Sequence, residues 1–138
     1  MDHKELMDYA VKASKQSYSP YSRFRVGAAL LSPSGEVITG TNVENRSFGL
    51  TICAERSALT AAVTQGIREF EALAIYCPDA DYPVAPCGAC RQVISEFVSG
   101  DFPIYYRGGG GETVGMTMKE LLPSDSLFEL KEESRDTP

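Results

Sequence analysis

The sequence contains one histidine, His3, among its 138 residues, and it contains no tryptophan. A lone histidine near a chain terminus is more often solvated than bound to a metal, so we do not count His3 as a candidate ligand. Candidate metal ligands therefore have to be sought among other residue types.

Positive charge is also scarce, since 13 Lys and Arg residues stand against 19 Asp and Glu residues, for a net charge of −6. Binding to the phosphate backbone of a nucleic acid needs a basic surface, and the sequence shows no cluster of Lys or Arg. We therefore expect that nucleic acid is not a partner of this protein.

Long apolar runs are absent as well. No stretch approaches the ~20 apolar residues that a membrane helix needs. The charged N-terminus is not followed by the apolar segment that is typical of a signal peptide. We therefore expect no membrane association and a cytoplasmic location. The remaining composition is ordinary for a globular protein, with 43% hydrophobic and 23% charged residues, and the length fits one domain.

Hydrophobic periodicity and turn residues predict helices and strands that largely alternate. Helices are expected over about residues 4–16, 53–65, 88–97 and 117–122, and strands over residues 25–31, 36–41, 70–77, 103–107 and 113–116. This order predicts a three-layer αβα domain with a mixed five-stranded sheet flanked by helices. We expect the domain to span residues 1–130 and the polar residues 131–138 to form a flexible tail.

Four cysteines carry the first chemical signal of the sequence. Cys87 and Cys90 form a Cys-x-x-Cys pair at a predicted helix start, which in a cytosolic protein indicates metal or redox chemistry. Cys53, at another helix start, would supply a third thiolate and leave the fourth tetrahedral position of zinc open for water. Two alternatives stay open here: a closed four-cysteine site that includes Cys77, and a redox dithiol at Cys87 and Cys90.

Glu55 favours the open, catalytic site. The segment Cys-Ala-Glu at residues 53–55, followed by Pro-Cys-Gly-Ala-Cys at residues 86–90, matches the three-cysteine form of the zinc-deaminase signature, in which the glutamate is the acid and base. Residues two apart on a helix point to different sides, so Cys53 and Glu55 can share a pocket only over the N-terminal end of that helix. A solvated acid in the first helical turn is the alternative for Glu55.

Charge compensation is needed in such a site, because three thiolates leave a zinc centre with a net charge of −1. Arg56, three residues after Cys53, can lie beside that sulfur and donate hydrogen bonds to it. Arg91, next to Cys90, is a second candidate. An ordinary surface arginine is the alternative at both positions.

Longer stretches of the chain strongly resemble the short, homotetrameric, zinc-dependent cytidine deaminases. The matching segments are residues 18–30 (YSPYSRFRVGAAL), 42–45 (NVEN), 51–58 (TICAERSA), 86–93 (PCGACRQV) and 120–123 (ELLP). The resemblance implies a cytidine-deaminase-like fold, a homotetramer and a role in pyrimidine salvage. It also implies hydrolytic deamination of cytidine and 2′-deoxycytidine to uridine and 2′-deoxyuridine plus ammonia, by attack of zinc-activated water at C4.

The resemblance assigns the chemical residues as follows. One zinc ion per chain is carried onto Cys53, Cys87 and Cys90, and the proton shuttle onto Glu55. Arg56 is implied to neutralise the charge of the thiolates.

Substrate contacts are implied for a second group of residues. Phe24 stacks against the pyrimidine, which suits the flat face of a base. Asn42 and Glu44 bind ribose hydroxyls, because an amide and a carboxylate can divide the donor and acceptor duties. The backbone of Ala54 is implied to contact the edge of the base. Without the resemblance, a core phenylalanine and a loop Asx-turn are the simpler interpretations of Phe24 and Asn42.

Three positions depart from the family pattern. Arg46 replaces a residue that is usually small, and Phe48 replaces a usual tyrosine. Ser126 stands where an aromatic residue usually reaches into a neighbouring subunit's site, and Phe128 is an alternative source of that contact.

Two rival functions remain from the sequence. One is deamination of another aminopyrimidine nucleoside, such as blasticidin S, although Phe24 and the Asn42–Glu44 segment favour cytidine. The other is a structural zinc module, which would leave Glu55 without a role.

Overall fold

The computed structural model describes the backbone of residues 1–135 and the side chains of residues 1–131. In chain order its elements are α1 (His3–Ser14), β1 (Gly27–Leu31), β2 (Val37–Thr41), a 3-10 turn (Phe48–Leu50), α2 (Ala54–Thr64), β3 (Ala72–Cys77), α3 (Gly88–Ser95), β4 (Pro103–Gly108), β5 (Val114–Thr117), α4 (Met118–Leu121) and α5 (Phe128–Arg135).

The five strands form one mixed sheet in the order β2-β1-β3-β4-β5. Only β3 and β4 are paired in parallel, and the other three neighbouring pairs are antiparallel. Strands β2, β3 and β4 consequently run in the same direction. Because α2 follows β2 and α3 follows β3, both helices begin at the same edge of the sheet. This edge is where the site is built.

Helices cover both faces of the sheet, as predicted. Helix α1 packs through Leu6, Met7 and Ala10 against one face, in a cluster with Ala29 and Ala74. On the opposite face, buried residues of α2 and α3 join a larger cluster that includes Leu30, Leu73, Ile75 and Ile104. Strand β1 is buried over its whole length, which explains its uninterrupted run of small and apolar residues.

Close backbone contact holds α2 against β2. A Cβ atom at Gly40 would lie 2.3 Å from the backbone nitrogen of Ala58 and 2.6 Å from the carbonyl oxygen of Ala54. Gly27 has the same function on the other face, where a Cβ would lie 2.0 Å from the Ala10 carbonyl oxygen. The absence of a side chain at Gly40 therefore sets how close the first turn of α2 lies to the sheet.

The predicted elements agree with the structure except at some ends. The N-cap residue of α2 is Cys53, and the hydroxyl of the nearby Thr51 accepts a hydrogen bond from the Asn45 backbone. Strand β1 begins at Gly27 and not at residue 25, since the preceding backbone is bonded to side chains. Helix α4 begins with a capping box between Thr117 and Glu120, which the residue types at this spacing favour.

Helix α5 is the one helix that the sequence analysis did not predict. It extends across residues 130 and 131, where the expected domain and tail meet, and residues 136–138 lie outside the described residues. The division into a domain and a flexible tail stays a prediction. The Lys131 ammonium donates to the carbonyl oxygens of Ser95 and Val98, at the end of α3. The helix was missed because its sequence is polar and shows no apolar stripe.

None of the helices in the described part of the chain has the length and hydrophobicity that crossing a bilayer requires.

Candidate active site

Three cysteine sulfurs meet where α2 and α3 begin. Cys53 is the N-cap residue of α2, Cys87 is the N-cap residue of α3, and Cys90 lies in the first turn of α3. Their sulfur atoms all lie within 4.8 Å of one another, and the Cys53 and Cys87 sulfurs are 3.7 Å apart. The backbone nitrogen of Cys90 donates to the Cys87 sulfur over 3.4 Å.

This spacing fits a zinc ion. Tetrahedral zinc with Zn–S bonds of about 2.3 Å places its sulfur ligands roughly 3.8 Å apart. Three thiolates leave one coordination position without a protein ligand, and Cys87 lies at the surface while Cys90 is buried. An open position of this kind distinguishes a catalytic zinc site from a structural one.

The cluster stabilises negative charge on sulfur. Hydrogen bonding from the Cys90 thiol is the main cause that lowers the pKa of Cys53 to about 5, and Arg56 and Cys87 contribute further. The same hydrogen bond, together with burial, raises the pKa of Cys90. Metal binding to all three sulfurs must release any thiol proton that the cluster holds.

Arg56 lies beside the cluster, as its spacing from Cys53 indicated. Its Nη2 atom donates to the Cys53 sulfur over 3.3 Å, and this bond raises the pKa of the guanidinium above its usual value. Arg91 does not serve the sulfurs in this way. Its Nε donates to the Pro86 carbonyl oxygen and its Nη1 to the Leu121 carbonyl oxygen, so it braces the loop before Cys87.

Cys77 lies apart from the three sulfurs. It ends β3, is fully buried, and is not a member of the metal-binding cluster formed by the described residues. Burial raises the pKa of its thiol. The structure therefore contradicts the closed four-cysteine alternative, and the redox alternative leaves the proximity of Cys53 to the pair unexplained.

A cavity of about 400 Å³ opens beside the cluster. Seven of its lining residues are ones for which the sequence predicted a role: Phe24, Asn42, Glu44, Cys53, Ala54, Glu55 and Cys87. The other lining residues are Ser22, Val26, Thr51, Ile75, Val84 and Ala85. Cys53 and Glu55 share this cavity because it lies over the first turn of α2, which meets the geometric condition set by their spacing.

Glu55 is the buried acid of the cavity. Only 5% of the residue is exposed, and this burial is the main reason that its pKa rises to about 7. Repulsion from the Cys53 thiolate raises the pKa further, while a hydrogen bond with Cys90 and the charge of Arg56 oppose the rise. A carboxyl group with this pKa can both accept and donate a proton near neutral pH.

Asn42 is buried and ties together two segments of the cavity wall. Its Nδ2 donates to the Phe24 carbonyl oxygen over 2.7 Å, and its Oδ1 accepts from the Val26 backbone over 3.0 Å and from the Ser17 hydroxyl. The amide has one N–H left over. Asn42 can therefore offer a ligand a donor and has little capacity left as an acceptor.

Glu44 is held as a hydrogen-bond acceptor, which complements the donor that Asn42 offers. Its Oε1 accepts from the backbone nitrogens of Tyr21 and Ser22, over 2.9 and 3.1 Å, and its Oε2 accepts from the Ser22 hydroxyl. The hydrogen bond from this hydroxyl is the main cause that lowers the pKa of Glu44. The carboxylate is thus ionised and retains lone pairs on Oε2, so it can offer a ligand an acceptor.

Other residues that the sequence singled out lie elsewhere. Phe128 is exposed at the start of α5 and lines a second surface cavity with Lys131, not the cavity beside the sulfurs. Phe48 is exposed and packs at a tilt against Tyr21, with ring centroids 5.9 Å apart. Arg46 is exposed in the same loop.

Three lining residues, Ser22, Val84 and Ala85, had no role predicted from the sequence. Ser22 could have been noticed as a hydroxyl two residues before Phe24, because such spacing is typical of local side chain to backbone bonds. Val84 and Ala85 carried no signal, since their loop has no periodic pattern.

The separate position of Cys77 leads to a testable contrast. We expect Cys77→Ala to keep about one zinc ion per chain, and Cys87→Ala to lose most of it, because only the second substitution removes a member of the cluster. Metal content of both purified variants, measured by inductively coupled plasma mass spectrometry, checks this expectation. Loss of zinc from Cys77→Ala with retention by Cys87→Ala would contradict the assignment of the ligands.

Comparison with known proteins gives a consistent family. A family model described as the cytidine and deoxycytidylate deaminase zinc-binding region matches residues 1–105. The chain is 47% identical to the cytidine deaminase of Sporosarcina psychrophila over 123 residues, which cover 89% of this chain and 90% of the relative. It is 48% identical to the cytidine deaminase of Halalkalibacterium halodurans, with 89% and 92% covered.

Structural comparison agrees with the sequence matches. The crystal structure of cytidine deaminase from Burkholderia pseudomallei has a TM-score of 0.87 and 41% identity, and the match covers 91% of this chain and 99% of that one. Blasticidin-S deaminase from Bacillus cereus is more distant, at 30% identity over 126 residues that cover 86% of this chain and 88% of the relative. The chain therefore belongs to the cytidine and deoxycytidylate deaminases that share this zinc-binding region.

Proposed function

We propose that the protein is a zinc-dependent hydrolase that deaminates cytidine and 2′-deoxycytidine to uridine and 2′-deoxyuridine, with release of ammonia. The observation that carries the proposal is the position of Glu55, a buried carboxyl group that shares one cavity with the three-cysteine cluster. A structural zinc module has no use for such a group, whereas hydrolysis of a C–N bond needs one that both accepts and donates protons.

Each chemical duty falls to a named residue. When bound by Cys53, Cys87 and Cys90, zinc supplies a Lewis acid that makes water a better nucleophile at neutral pH. Glu55 accepts the first proton of the attacking water and passes it to the ring nitrogen, and it then transfers the second proton of the same water from the new C4 hydroxyl to the departing amine, which leaves as ammonia. Arg56 offsets the thiolate charge through its bond to Cys53.

Substrate recognition uses other residues that line the cavity. The Phe24 ring offers a flat apolar face to the pyrimidine, and the backbone of Ala54 faces the edge of the base. The remaining N–H of Asn42 donates to one ribose hydroxyl, and the Glu44 carboxylate accepts from another. The cavity volume of about 400 Å³ and the net charge of −6 support a free nucleoside over a polynucleotide substrate.

A direct assay tests the proposed reaction. We expect purified zinc-loaded protein to convert cytidine to equal amounts of uridine and ammonia, as followed by liquid chromatography and an ammonia assay. Blasticidin S is the matched alternative substrate, and we expect it to react much more slowly. Turnover of blasticidin S without turnover of cytidine would overturn the proposal in favour of the other aminopyrimidine nucleosides.

Glu55→Gln tests the proton shuttle. The amide has nearly the same size but cannot carry a proton, so we expect the zinc content and melting temperature to remain close to those of the unaltered protein. The kcat for cytidine should fall by roughly 10²–10⁴-fold, the usual contribution of general acid and base catalysis. Glu69→Gln, at an exposed position, is the control and should keep full activity. Activity of Glu55→Gln near that of the control would show that another group moves the proton.

We also infer that the chain forms a homotetramer, in which an exposed apolar patch takes part. The patch consists of Tyr21, Val43, Phe48, Leu50 and Ile52, and each of these side chains is at least 42% exposed. Exposed apolar groups that cluster in this way are typical of protein interfaces. The patch adjoins the rim of the cavity through Ser22, Glu44 and Thr51, so association there would shelter the substrate.

Light scattering, measured as the protein elutes from a size-exclusion column, tests the tetramer. We expect a mass about four times that of the 15.0 kDa chain. Replacing Phe48 and Leu50 together by serine should lower that mass, whereas Tyr82→Ser, at an exposed position outside the patch, should not. A single-chain mass for the unaltered protein would refute the inference.

A role in pyrimidine salvage would follow from the proposed reaction, and the cytoplasmic location stays a prediction.

A further inference from the structure

Residues 24–26 carry Phe24 into the cavity, yet they belong to no strand. Arg23, just before them, has a positive φ of 57°, a conformation that a residue with a side chain rarely adopts. Polar side chains bind the Phe24 backbone: Phe24 N donates to the Ser22 hydroxyl, and Phe24 O accepts from the side chain of Asn42. The position of the Phe24 ring therefore depends on polar side chains and not on a sheet ladder.

Asp79 binds the next residue, Arg25, by three hydrogen bonds. The Arg25 backbone nitrogen donates to Oδ2 over 2.8 Å, Nε donates to Oδ2 over 3.0 Å, and Nη2 donates to Oδ1 over 2.8 Å. This is a two-pronged contact between guanidinium and carboxylate, with a backbone bond added to it, and such pairs fix geometry as well as charge. The two residues are 54 positions apart in the sequence.

Asp79 is itself on a firmly held loop. It lies two residues after the end of β3, and the neighbouring Ala80 carbonyl oxygen accepts from the Gly109 backbone over 2.7 Å. The same loop continues to Val84 and Ala85, which line the cavity. Arg25 and Asp79 therefore join two walls of the cavity from outside it, one with Phe24 and Val26 and the other with Val84 and Ala85.

We propose that Arg25 and Asp79 form a clamp that positions Phe24 and sets the width of the base-binding cavity. This inference rests on the proposed function, because it assigns the cavity to a flat base. The pair does not touch the cavity and its side chains are 51% and 25% exposed, so it contributes little to folding stability. Its effect should instead fall on nucleoside binding, while the helices that hold the cysteines and Glu55 stay anchored by the core.

Asp79→Ala tests the clamp most directly. We expect KM for cytidine to rise about fivefold while kcat changes by less than about twofold, because the substitution affects binding and not the chemical groups. Zinc content and melting temperature should stay near those of the unaltered protein. Asp81→Ala, in the same loop and exposed, is the matched control and should leave KM unchanged.

Arg25→Gln and the double variant show whether the two residues act as one unit. Arg25→Gln keeps the backbone bond to Asp79, so its KM should rise less than that of Asp79→Ala. The double variant should match Asp79→Ala, because no bond between the two residues is then left to lose. Effects of the single substitutions that multiply in the double variant would overturn the clamp.

The remaining outcomes also decide the matter. A KM for Asp79→Ala equal to that of Asp81→Ala would refute the clamp and leave the proposed function intact. A parallel loss of kcat, zinc and melting temperature would show that Asp79 has a general structural role instead. Absence of cytidine turnover by the unaltered protein would refute the proposed function, and the clamp with it.

Discussion

The site depends on the common direction of two strands, β2 and β3. Because β2 and β3 run in the same direction, the helices that follow them begin side by side, and each helix start has an excess of free N–H groups. Thiolates are stabilised at such positions by the partial positive charge of the helix end. Cys53 and Cys87 occupy the two N-cap positions themselves, so the topology of the sheet brings the sulfurs together.

Much of this arrangement could be predicted from the sequence because the signals are local. The Cys-x-x-Cys spacing, the helix start at Cys87 and the capping box at Thr117 each depend on residues within one or two turns. The meeting of Cys53 with Cys87 is different, since it spans 34 positions and required either the resemblance or the strand order. From their spacing alone, Cys53 and Glu55 can share a pocket only if it lies over the start of the helix. Only the fold shows that it does.

The parts that could not be predicted depend on polar contacts between distant segments. Asp79 carries no motif, and nothing in its neighbourhood in the sequence indicates that it binds Arg25. The sequence likewise does not indicate that Asn42 has a second function in holding the backbone of its neighbours. Resemblance implied a ribose contact, whereas the structure shows an amide that also bonds Phe24 and Val26. Helix α5 was missed for a related reason, because Lys131 attaches it by hydrogen bonds to carbonyl groups, which leave no periodic pattern.

The contact between Gly40 and α2 has a consequence for how the sequence can vary. Position 40 lies in a strand and has no chemical role, yet any side chain there would have to push the backbone of α2 away from the sheet. Overpacking of this kind costs about 1–3 kcal/mol in an ordinary core, and here the displaced segment is the turn that carries Cys53 and Glu55. A survey of all substitutions would therefore find this glycine as intolerant of change as the residues that perform the chemistry. An invariant glycine at position 40 would then reflect the close approach of two backbones and not a chemical role.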